Sequence, residues 1–273
     1  MTLTPDTLKI VFLGIIQGIT EWLPISSTGH MILFDHYFPT GLSDHFMNMF
    51  MIFIQIGSVL AVILLFIRTL NPYHSSHTPD HRKHAFILWA KIAFASIPAA
   101  VIGLLFDDII DLYLFKPEII AMTLILYGVL FIYTERQEHE PSITHMHDIS
   151  YKDAFMIGIF QTFAVIPGTS RSGATILGAL WLGASRPVAA EFSFFLSIPV
   201  LFGYGMVKFI KAGFGWSSTE WALLSIGFIT AFVISVLAIR VLMAFVKRHR
   251  FTSFAYYRIA LGIFVLISLV ILK

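Results

Sequence analysis

The sequence contains no cysteine, which excludes disulfide bonds, thiolate metal ligands and cysteine nucleophiles. Charged residues are also scarce: they make up 12% of the chain, against roughly 25% in a typical soluble domain. Hydrophobic residues account for 57% of the sequence, and its mean hydropathy is +0.82. This composition predicts an integral membrane protein. Residues 1–6 lack the positive region of a signal peptide, so the N-terminal segment is expected to remain in the mature fold.

Six apolar runs approach the roughly 20 residues that a helix needs to span a bilayer. They cover residues 46–67, 85–106, 119–133, 192–210, 221–246 and 254–272. Four shorter pieces form two pairs, 8–16 with 31–38 and 155–166 with 174–182, and each pair flanks a polar stretch. Non-helical backbone at membrane depth persists only where protein or a wet cavity shields it. The sequence therefore predicts an all-α polytopic membrane protein with six transmembrane helices and two re-entrant helical hairpins.

An internal repeat relates the two hairpins. Gly14-Ile-Ile-Gln17 matches Gly158-Ile-Phe-Gln161 at an offset of 144 residues. We therefore expect a single membrane domain, 1–273, built from a first repeat at 1–135 and a second at 150–273. Each repeat would hold one hairpin and three spans. Because three is odd, the second repeat enters from the opposite face, which gives an inverted-topology repeat of the kind found in transporters.

The basic residues of the loops orient this topology, because cytoplasmic loops carry an excess of lysine and arginine. One side would carry Arg68, Arg82, Lys83, Arg136, Lys152, Arg186, Lys247, Arg248 and Arg250, and the other Lys9, Lys116, Lys208, Lys211 and Lys273. The larger set indicates the cytoplasmic side. Both termini and the mouth of the first hairpin are then expected to face outward.

The first polar stretch, QGITEWLPISSTGH starting at Gln17, holds a carboxylate, several hydroxyls and an imidazole. Gln17 and Glu21 are four residues apart and so share one face of a helix. Glu21 could bind a divalent cation, or act as a base toward Ser26, Ser27 or water. His30 could donate a proton to a leaving phosphate. Ionisable groups are costly inside a membrane, so we interpret this stretch as functional rather than as a helix-ending turn.

The second polar stretch, PGTSRSGAT from Pro167 to Thr175, runs from a Pro-Gly break directly into a helix. Backbone N–H groups at a helix start, hydroxyls and the guanidinium of Arg171 together form a cradle for an anion. The alternative is a capped helix with an arginine that snorkels to the interface. Because Arg171 lies in the middle of the hairpin tip, snorkelling is awkward. The two stretches together indicate phosphate chemistry.

These stretches resemble the two signature motifs of the undecaprenyl-diphosphate phosphatases of the bacitracin-resistance type. The similarity rests on EWLPISSTGH at residues 21–30 and PGTSRSGAT at 167–175, and it extends over the whole chain. It implies hydrolysis of undecaprenyl diphosphate to the monophosphate carrier of cell-wall synthesis, in the bacterial plasma (inner) membrane, with bacitracin tolerance as the phenotype. It implies an outward-facing site, a polyprenyl diphosphate substrate, membrane lipids as partners and no nucleic acid. A homodimer is a further candidate assembly.

The resemblance also implies roles for individual residues. Glu21 would be the metal-binding or base carboxylate, and Ser27 the nucleophile. His30 would be the acid/base or the competing nucleophile, while Arg171 would hold the diphosphate. The further hydroxyls expected to bind it are those of Ser26, Thr28, Ser170, Ser172 and Thr175.

The implied cofactor is a divalent cation, Mg²⁺ or Ca²⁺, with Glu21 and Gln17 as its ligands. Many relatives carry an acidic residue where this chain has Gln17. A neutral amide ligates such a cation more weakly than a carboxylate does. The departure therefore favours Glu21 acting alone.

Rival functions make different predictions. A lipid-phosphate transporter or flippase would share the inverted repeat and broken helices, but it gives no reason for combining Glu21, Ser27, His30 and Arg171. A second type of membrane phosphatase has partly similar motifs, but its required downstream histidine would fall at Leu177. A non-enzymatic scaffold gives no reason for polar residues at the buried tips of the two hairpins.

Several other polar residues have ordinary interpretations. Lys91 and Arg258 fall within spans, where helix-end snorkelling or a structural ion pair is favoured over catalysis. The histidine-rich segments have spacings that could ligate zinc, but we interpret them as solvated polar loops. Their members are His74, His77, His81 and His84, and His139, His145 and His147.

Overall fold

A computed structural model describes residues 5–75, 78–114, 116–137 and 140–271. Over these ranges the chain folds into twelve α-helices, and a single isolated bridge joins Ile143 to Ala184. The helices are α1 Pro5–Thr20, α2 Ser27–Tyr37, α3 Asp44–Leu65, α4 Ile67–Leu70, α5 Pro79–Leu114, α6 Pro117–Arg136, α7 Tyr151–Thr162, α8 Arg171–Trp181, α9 Arg186–Ser197, α10 Gly203–Ala212, α11 Ser218–Val246 and α12 Thr252–Ile271. The predicted all-α class is confirmed.

Six helical segments are long and apolar enough to cross a membrane, which confirms the predicted number of spans. They are Asp44–Leu65, Pro79–Gly103, Pro117–Arg136, Arg186–Ala212, Ser218–Val246 and Thr252–Leu269. The fourth is composite, because π-helical turns over Ile198–Phe202 join α9 to α10. Pro199 lies in this segment and lacks the N–H that a regular α-helical hydrogen bond needs, which explains the irregular turns.

The four short apolar pieces form two pairs of helices, as their lengths predicted. A turn through Pro24 joins α1 to α2, while a 3₁₀ turn at Phe163–Val165 and the following residues join α7 to α8. Helices α2 and α8 each have 11 residues and begin at Ser27 and Arg171. Their starts are therefore separated by the same 144 residues that align the sequence motifs.

Each pair packs its first helix against a long helix from the other half of the chain: α1 packs against α11, and α7 against α5. Glycine permits these close approaches. A Cβ atom at Gly14 would lie 2.9 Å from the Thr230 Cβ, and one at Gly158 would lie 2.1 Å from the Ala95 carbonyl oxygen. Helices α6 and α12 pack against each other. Helices from the two halves of the chain therefore pack against each other.

The turns between the paired helices are buried inside the protein. Trp22 in the first turn is fully buried and packs edge-on against Phe194 of α9, with ring centroids 5.4 Å apart. Ser26 in the first turn and Thr169 in the second are buried as well. Because surrounding helices shield these segments, the backbone can leave the helical conformation there.

The interpretation of the first histidine-rich segment as a loop is only partly correct. His74 lies in the loop before α5, whereas His81 and His84 lie on the exposed first turns of α5 itself. His77 and His139 lie outside the described residues.

Candidate active site

Two serines begin the second helix of each pair in the same unusual conformation. Ser26 has φ 73° and Ser170 has φ 72°, and they are the only non-glycine residues with positive φ in the described parts of the chain. Each side chain caps its helix: Oγ accepts a hydrogen bond from the N–H of Gly29 at 3.3 Å or Gly173 at 3.1 Å. Such strained backbone persists only where the surroundings enforce it, and it concentrates at functional sites.

Glu21 lies at the centre of the polar cluster between the two turns. Its carboxylate is buried, and Oε1 lies 2.9 Å from Nη2 of Arg171. Oε2 accepts a hydrogen bond from Oγ of Ser27 at 2.7 Å and one from Nε2 of Gln17 at 3.2 Å. The structure thus brings together three residues from the first polar stretch and the arginine from the second.

Arg171 is held from the other side by α9. Its Nη1 donates to the carbonyl oxygen of Ser193 at 2.7 Å and to Ser193 Oγ at 3.2 Å. Ser193 Oγ in turn lies 2.7 Å from Oγ1 of Thr175. The guanidinium also lies over the ring of Trp22, 5.8 Å from its centroid, which adds a cation–π contact. These contacts fix the plane of the guanidinium at the start of α8.

Ser172 connects the two turns directly. Its Oγ donates to the carbonyl oxygens of Glu21 at 3.0 Å and Leu23 at 3.2 Å, and it lies 3.1 Å from Oγ of Ser170. Both serines were predicted to bind substrate. In this structure their hydroxyls are engaged within the protein, one joining the turns and the other capping α8.

His30 lies beside this cluster, on the first turns of α2. Its Nδ1 is 2.7 Å from the carbonyl oxygen of Ser26, and because that oxygen can only accept, Nδ1 carries a hydrogen. Its Nε2 is 2.7 Å from the hydroxyl of Tyr257, whose ring stacks on the imidazole. His30 therefore contacts α12 rather than Glu21. Thr28, which was also predicted to bind substrate, lies half-buried on the same turn.

Arg258 of α12 is a site residue that the sequence interpretation misjudged. It is fully buried and forms no ion pair with the described residues, so both helix-end snorkelling and a structural ion pair are wrong. Its Nη1 donates to the carbonyl oxygen of Pro24 at 2.8 Å, and its Nη2 to those of Gly168 and Thr169, each at 2.9 Å. One guanidinium thus bonds to the backbone of both turns.

Sequence reasoning missed two residues of the site, Ser193 and Tyr257, and misjudged a third, Arg258. Only Arg258 gave a signal, since an ionisable residue within a span marks a functional site by default. Ser193 and Tyr257 are ordinary residues of apolar helices. Their contacts join positions 22 and 227 residues apart, which no local pattern reveals.

Several buried polar atoms of the cluster have no hydrogen-bond partner among the described protein atoms: Nε of Arg171, Oγ1 of Thr169 and Oε1 of Gln17. Buried polar atoms are normally paired, so these three atoms are available to contact water or a ligand. The first two can donate to an anion, and the third is an oxygen that can bind a cation.

The donor set fits a divalent cation only in part. Glu21 and Gln17 offer one carboxylate and one amide oxygen, while Arg171 already lies on the Glu21 carboxylate. Mg²⁺ in such sites is commonly held by one or two carboxylates together with phosphate oxygens of the substrate. These residues therefore fit a cation that arrives with a diphosphate, rather than one bound by protein groups alone.

Comparison with known proteins adds to this geometry. The family model described as "Bacitracin resistance protein BacA" matches residues 10–264. The match includes every residue of the polar cluster and both helix pairs except the first five residues of α1.

Individual relatives are similar over nearly their whole length. The chain is 49% identical to "Undecaprenyl-diphosphatase 1" of Clostridioides difficile over 261 residues, which covers 96% of this chain and 95% of the relative. It is 49% identical to "Undecaprenyl-diphosphatase" of Acetivibrio thermocellus over 264 residues, 96% of this chain and 97% of that one. It is 48% identical to "Undecaprenyl-diphosphatase" of Enterococcus faecalis over 266 residues, 96% of each chain.

Proposed function

This chain belongs to the family of the bacitracin resistance protein BacA, and from that premise we propose that it hydrolyses undecaprenyl diphosphate to undecaprenyl phosphate and phosphate within a bacterial membrane. The observation that carries the proposal is the cluster in which Glu21 binds both Ser27 and Arg171. It pairs a hydroxyl nucleophile and its base with a cation for phosphate oxygens. Hydrolysis would recycle the lipid carrier of cell-wall synthesis and so confer bacitracin tolerance.

Ser27 is the proposed nucleophile, because its hydroxyl already donates to the Glu21 carboxylate at 2.7 Å. Glu21 takes the hydroxyl proton as Oγ attacks the terminal phosphorus. An Oγ–P bond forms and the bond from that phosphorus to the bridging oxygen breaks. The bridging oxygen leaves with undecaprenyl phosphate, and water then cleaves the phosphoserine to release phosphate and restore Ser27.

Arg171 supplies the positive charge that phosphoryl transfer requires. Catalysis of this reaction depends mainly on positioning and on charge stabilisation. When the diphosphate enters, Nη2 of Arg171 moves from Glu21 to a phosphate oxygen, and the unpaired Nε donates to another. That transfer leaves the Glu21 carboxylate free to receive the proton of Ser27. Contact with Ser193 keeps the guanidinium in place during the exchange.

His30 acts in this scheme as a proton carrier, not as the nucleophile. Its Nδ1 is occupied by the Ser26 carbonyl oxygen, and its Nε2 by the Tyr257 hydroxyl. Movement of Tyr257 would leave Nε2 able to exchange a proton with the bridging oxygen or with the attacking water. Ser26, Thr28, Ser170, Ser172 and Thr175 lie around this cluster, at the starts of α2 and α8.

Glu21 and Gln17 would hold the divalent cation that the family resemblance implies, Mg²⁺ or Ca²⁺. When bound, such an ion neutralises charge on the diphosphate. The unpaired Oε1 of Gln17 supports this placement.

The proposed topology has two re-entrant hairpins within an inverted repeat. It is supported by the equal lengths of α2 and α8 and by the matching positive φ of Ser26 and Ser170. Each hairpin packs against a span of the other half, as inverted halves would. The lysine and arginine distribution supports termini and a site mouth outside the cytoplasm.

Phosphate release from undecaprenyl diphosphate by the purified protein tests the proposed function. We expect release by the wild type, its loss with a chelator and restoration by Mg²⁺ or Ca²⁺, and near-complete loss in Glu21→Gln. The exposed Glu118→Gln variant of α6 is the matched control. Movement of lipid across liposomes without phosphate release under any metal condition would support the transporter alternative instead.

Labelled terminal phosphate identifies the nucleophile. An acid-stable label on Ser27 after quenching is the expected result. An acid-labile label on His30 would reverse the roles of these two residues, and no protein label under rapid quench would indicate direct attack by water.

A further inference from the structure

A cavity of about 690 Å³ lies among α4, the first turns of α5 and the segment before α7. Its polar lining consists of Arg68, Thr69, His81, His84, Lys91 and His147. The described residues that line it include the basic side chains of Arg68 and Lys91 and no carboxylate. Concave surfaces with one sign of charge concentrate ligands of the opposite sign. None of the polar cluster around Glu21 lines this cavity.

Lys91 is the most informative residue of the lining, because its side chain is only 7% exposed. Its Nζ donates to the carbonyl oxygen of His147 at 3.3 Å, yet an ammonium has three N–H groups. No carboxylate of the described residues lies within ion-pair distance of it. A buried ammonium with no carboxylate in direct contact is costly, so the remaining N–H groups favour an anion in the cavity.

Asp148, an acidic residue that follows the lining residue His147, is already engaged elsewhere. The carboxylate of Asp148 accepts the N–H of His145 at 2.8 Å and that of Thr144 at 3.2 Å, and it lies 3.3 Å from Nε2 of His147. The hydrogen bond from His145 holds the pKa of this exposed carboxyl below its usual range. Asp148 therefore remains ionised while it caps its own turn. Asp148 and Asp153 interact with Lys91 only at a distance, because neither carboxylate forms an ion pair with it.

The rest of the lining is apolar, from Ala85, Ile87, Leu88 and Met146. A cavity with cationic and apolar walls suits an amphiphile whose phosphate meets Arg68 and Lys91. The span α3 lies between this cavity and the loop that follows α2. We propose that the cavity is a second anion site, on the membrane face opposite the mouth of the first helix pair, which binds the phosphate group of an anionic lipid.

A metal site at the same place is the competing assignment. His145, His147 and Asp148 present ligand atoms close enough to share an ion, and all three are exposed. The lining cations Arg68 and Lys91 disfavour a second positive charge nearby. The anion site is therefore the assignment that the charges favour.

Lipid binding by the full-length protein tests the proposal. Native mass spectrometry in detergent would count phosphatidic acid and phosphatidylcholine on the wild type, on Arg68→Gln/Lys91→Gln and on Arg82→Gln/Lys83→Gln. The last variant removes the same charge from exposed neighbours on α5 that do not line the cavity. We expect about tenfold weaker phosphatidic acid binding in the first variant only, and wild-type hydrolysis rates in both.

Competition with inorganic phosphate distinguishes the source of the ligand. Displacement of phosphatidic acid at low phosphate concentration would assign the site to free phosphate, and resistance would assign it to a lipid headgroup. Equal losses in the two double variants would overturn the proposal in favour of a diffuse basic surface. Zn²⁺ binding that His147→Ala abolishes, with phosphate binding unchanged in Arg68→Gln/Lys91→Gln, would overturn it as well. If proteins that carry Lys91→Gln do not fold, phosphatidic acid binding is compared between two single variants instead. These are Arg68→Gln, at an exposed residue of the lining, and Arg82→Gln, outside it.

Discussion

The two helix pairs share a backbone and differ in chemistry. Both place a strained serine at the start of an 11-residue helix, and both carry a buried glutamine in the preceding helix. Where the first pair has Glu21, the second has Val165 at the same offset of 144 residues. Likewise, Ser27 of the first pair corresponds to Arg171 of the second. The first pair thus presents the proposed nucleophile and base, and the second pair presents the guanidinium of Arg171.

The two glutamines show what this difference does. Gln17 donates to the Glu21 carboxylate and helps to orient it. Gln161, its counterpart, is buried with no hydrogen-bond partner for either amide atom among the described protein atoms, and the position that corresponds to Glu21 is Val165. In the proposed mechanism the second pair holds the anionic substrate, while the first is built around the carboxylate of Glu21.

The largest expected effect comes from Ser27→Ala, which removes the proposed nucleophile and leaves the pairing of Glu21 with Arg171 intact. We expect phosphate release to fall by about 10³-fold or more, since both attack and proton transfer are lost. Ser172→Ala, a hydroxyl of the second pair, should cost less than about tenfold. Exposed Ser225→Ala is the control for expression and folding. Equal losses of phosphate release in Ser27→Ala and Ser172→Ala would contradict the proposed division of roles between the two pairs.

Arg171→Lys tests the second pair. A lysine cannot contact Glu21, Ser193 and a phosphate with one planar group, so we expect the rate to fall by about 10²-fold at saturating substrate. The measurement is steady-state phosphate release, with circular dichroism and thermal unfolding to verify the fold. A variant with near wild-type activity would show that a point charge suffices and that the guanidinium geometry is unimportant.

Arg258→Gln tests the hydrogen bonds by which one guanidinium joins the turns of both pairs. Loss of the guanidinium leaves buried carbonyl oxygens of both turns unpaired, each at a cost of about 1–3 kcal/mol. We expect a lower unfolding temperature together with a lower rate. Arg240→Gln on the exposed face of α11 is the matched control. Unchanged unfolding temperatures for both variants would mean that Arg258 does not hold the turns.

The smallest effect is expected for Tyr257→Phe, which touches the first pair alone. Loss of one neutral hydrogen bond to His30 should change the rate by about threefold to tenfold. Tyr256→Phe, an exposed neighbour on the same helix, should leave the rate unchanged. Rates measured across pH separate a role in proton transfer from simple packing, because only the former moves the pH profile.

Much of the architecture could be predicted from local sequence, because span length and apolar character are local properties. The six spans, the two short helix pairs and the break at Pro24 all follow from them. The apolar run at 192–210 did not reveal its π-helical turns, since the effect of Pro199 depends on how the surrounding helices hold the chain.

The grouping of Glu21, Ser27 and Arg171 could be anticipated because each lies in a polar stretch flanked by apolar helices. Their catalytic roles remain predictions. Arg258 was misjudged because its partners are backbone carbonyl oxygens, and the sequence does not show where a carbonyl lacks a donor. Its fully buried side chain could be recognised only once the turns were packed around it.

The position of Arg258 in the chain has a consequence for biogenesis. It belongs to α12, which is synthesised after both helix pairs because it follows them in the chain. Until then the carbonyl oxygens of Pro24, Gly168 and Thr169 lack the donor that they have in the finished protein. The proposed active site therefore lacks part of its support until α12 has packed against both turns, and we expect a chain truncated before Arg258 to be inactive.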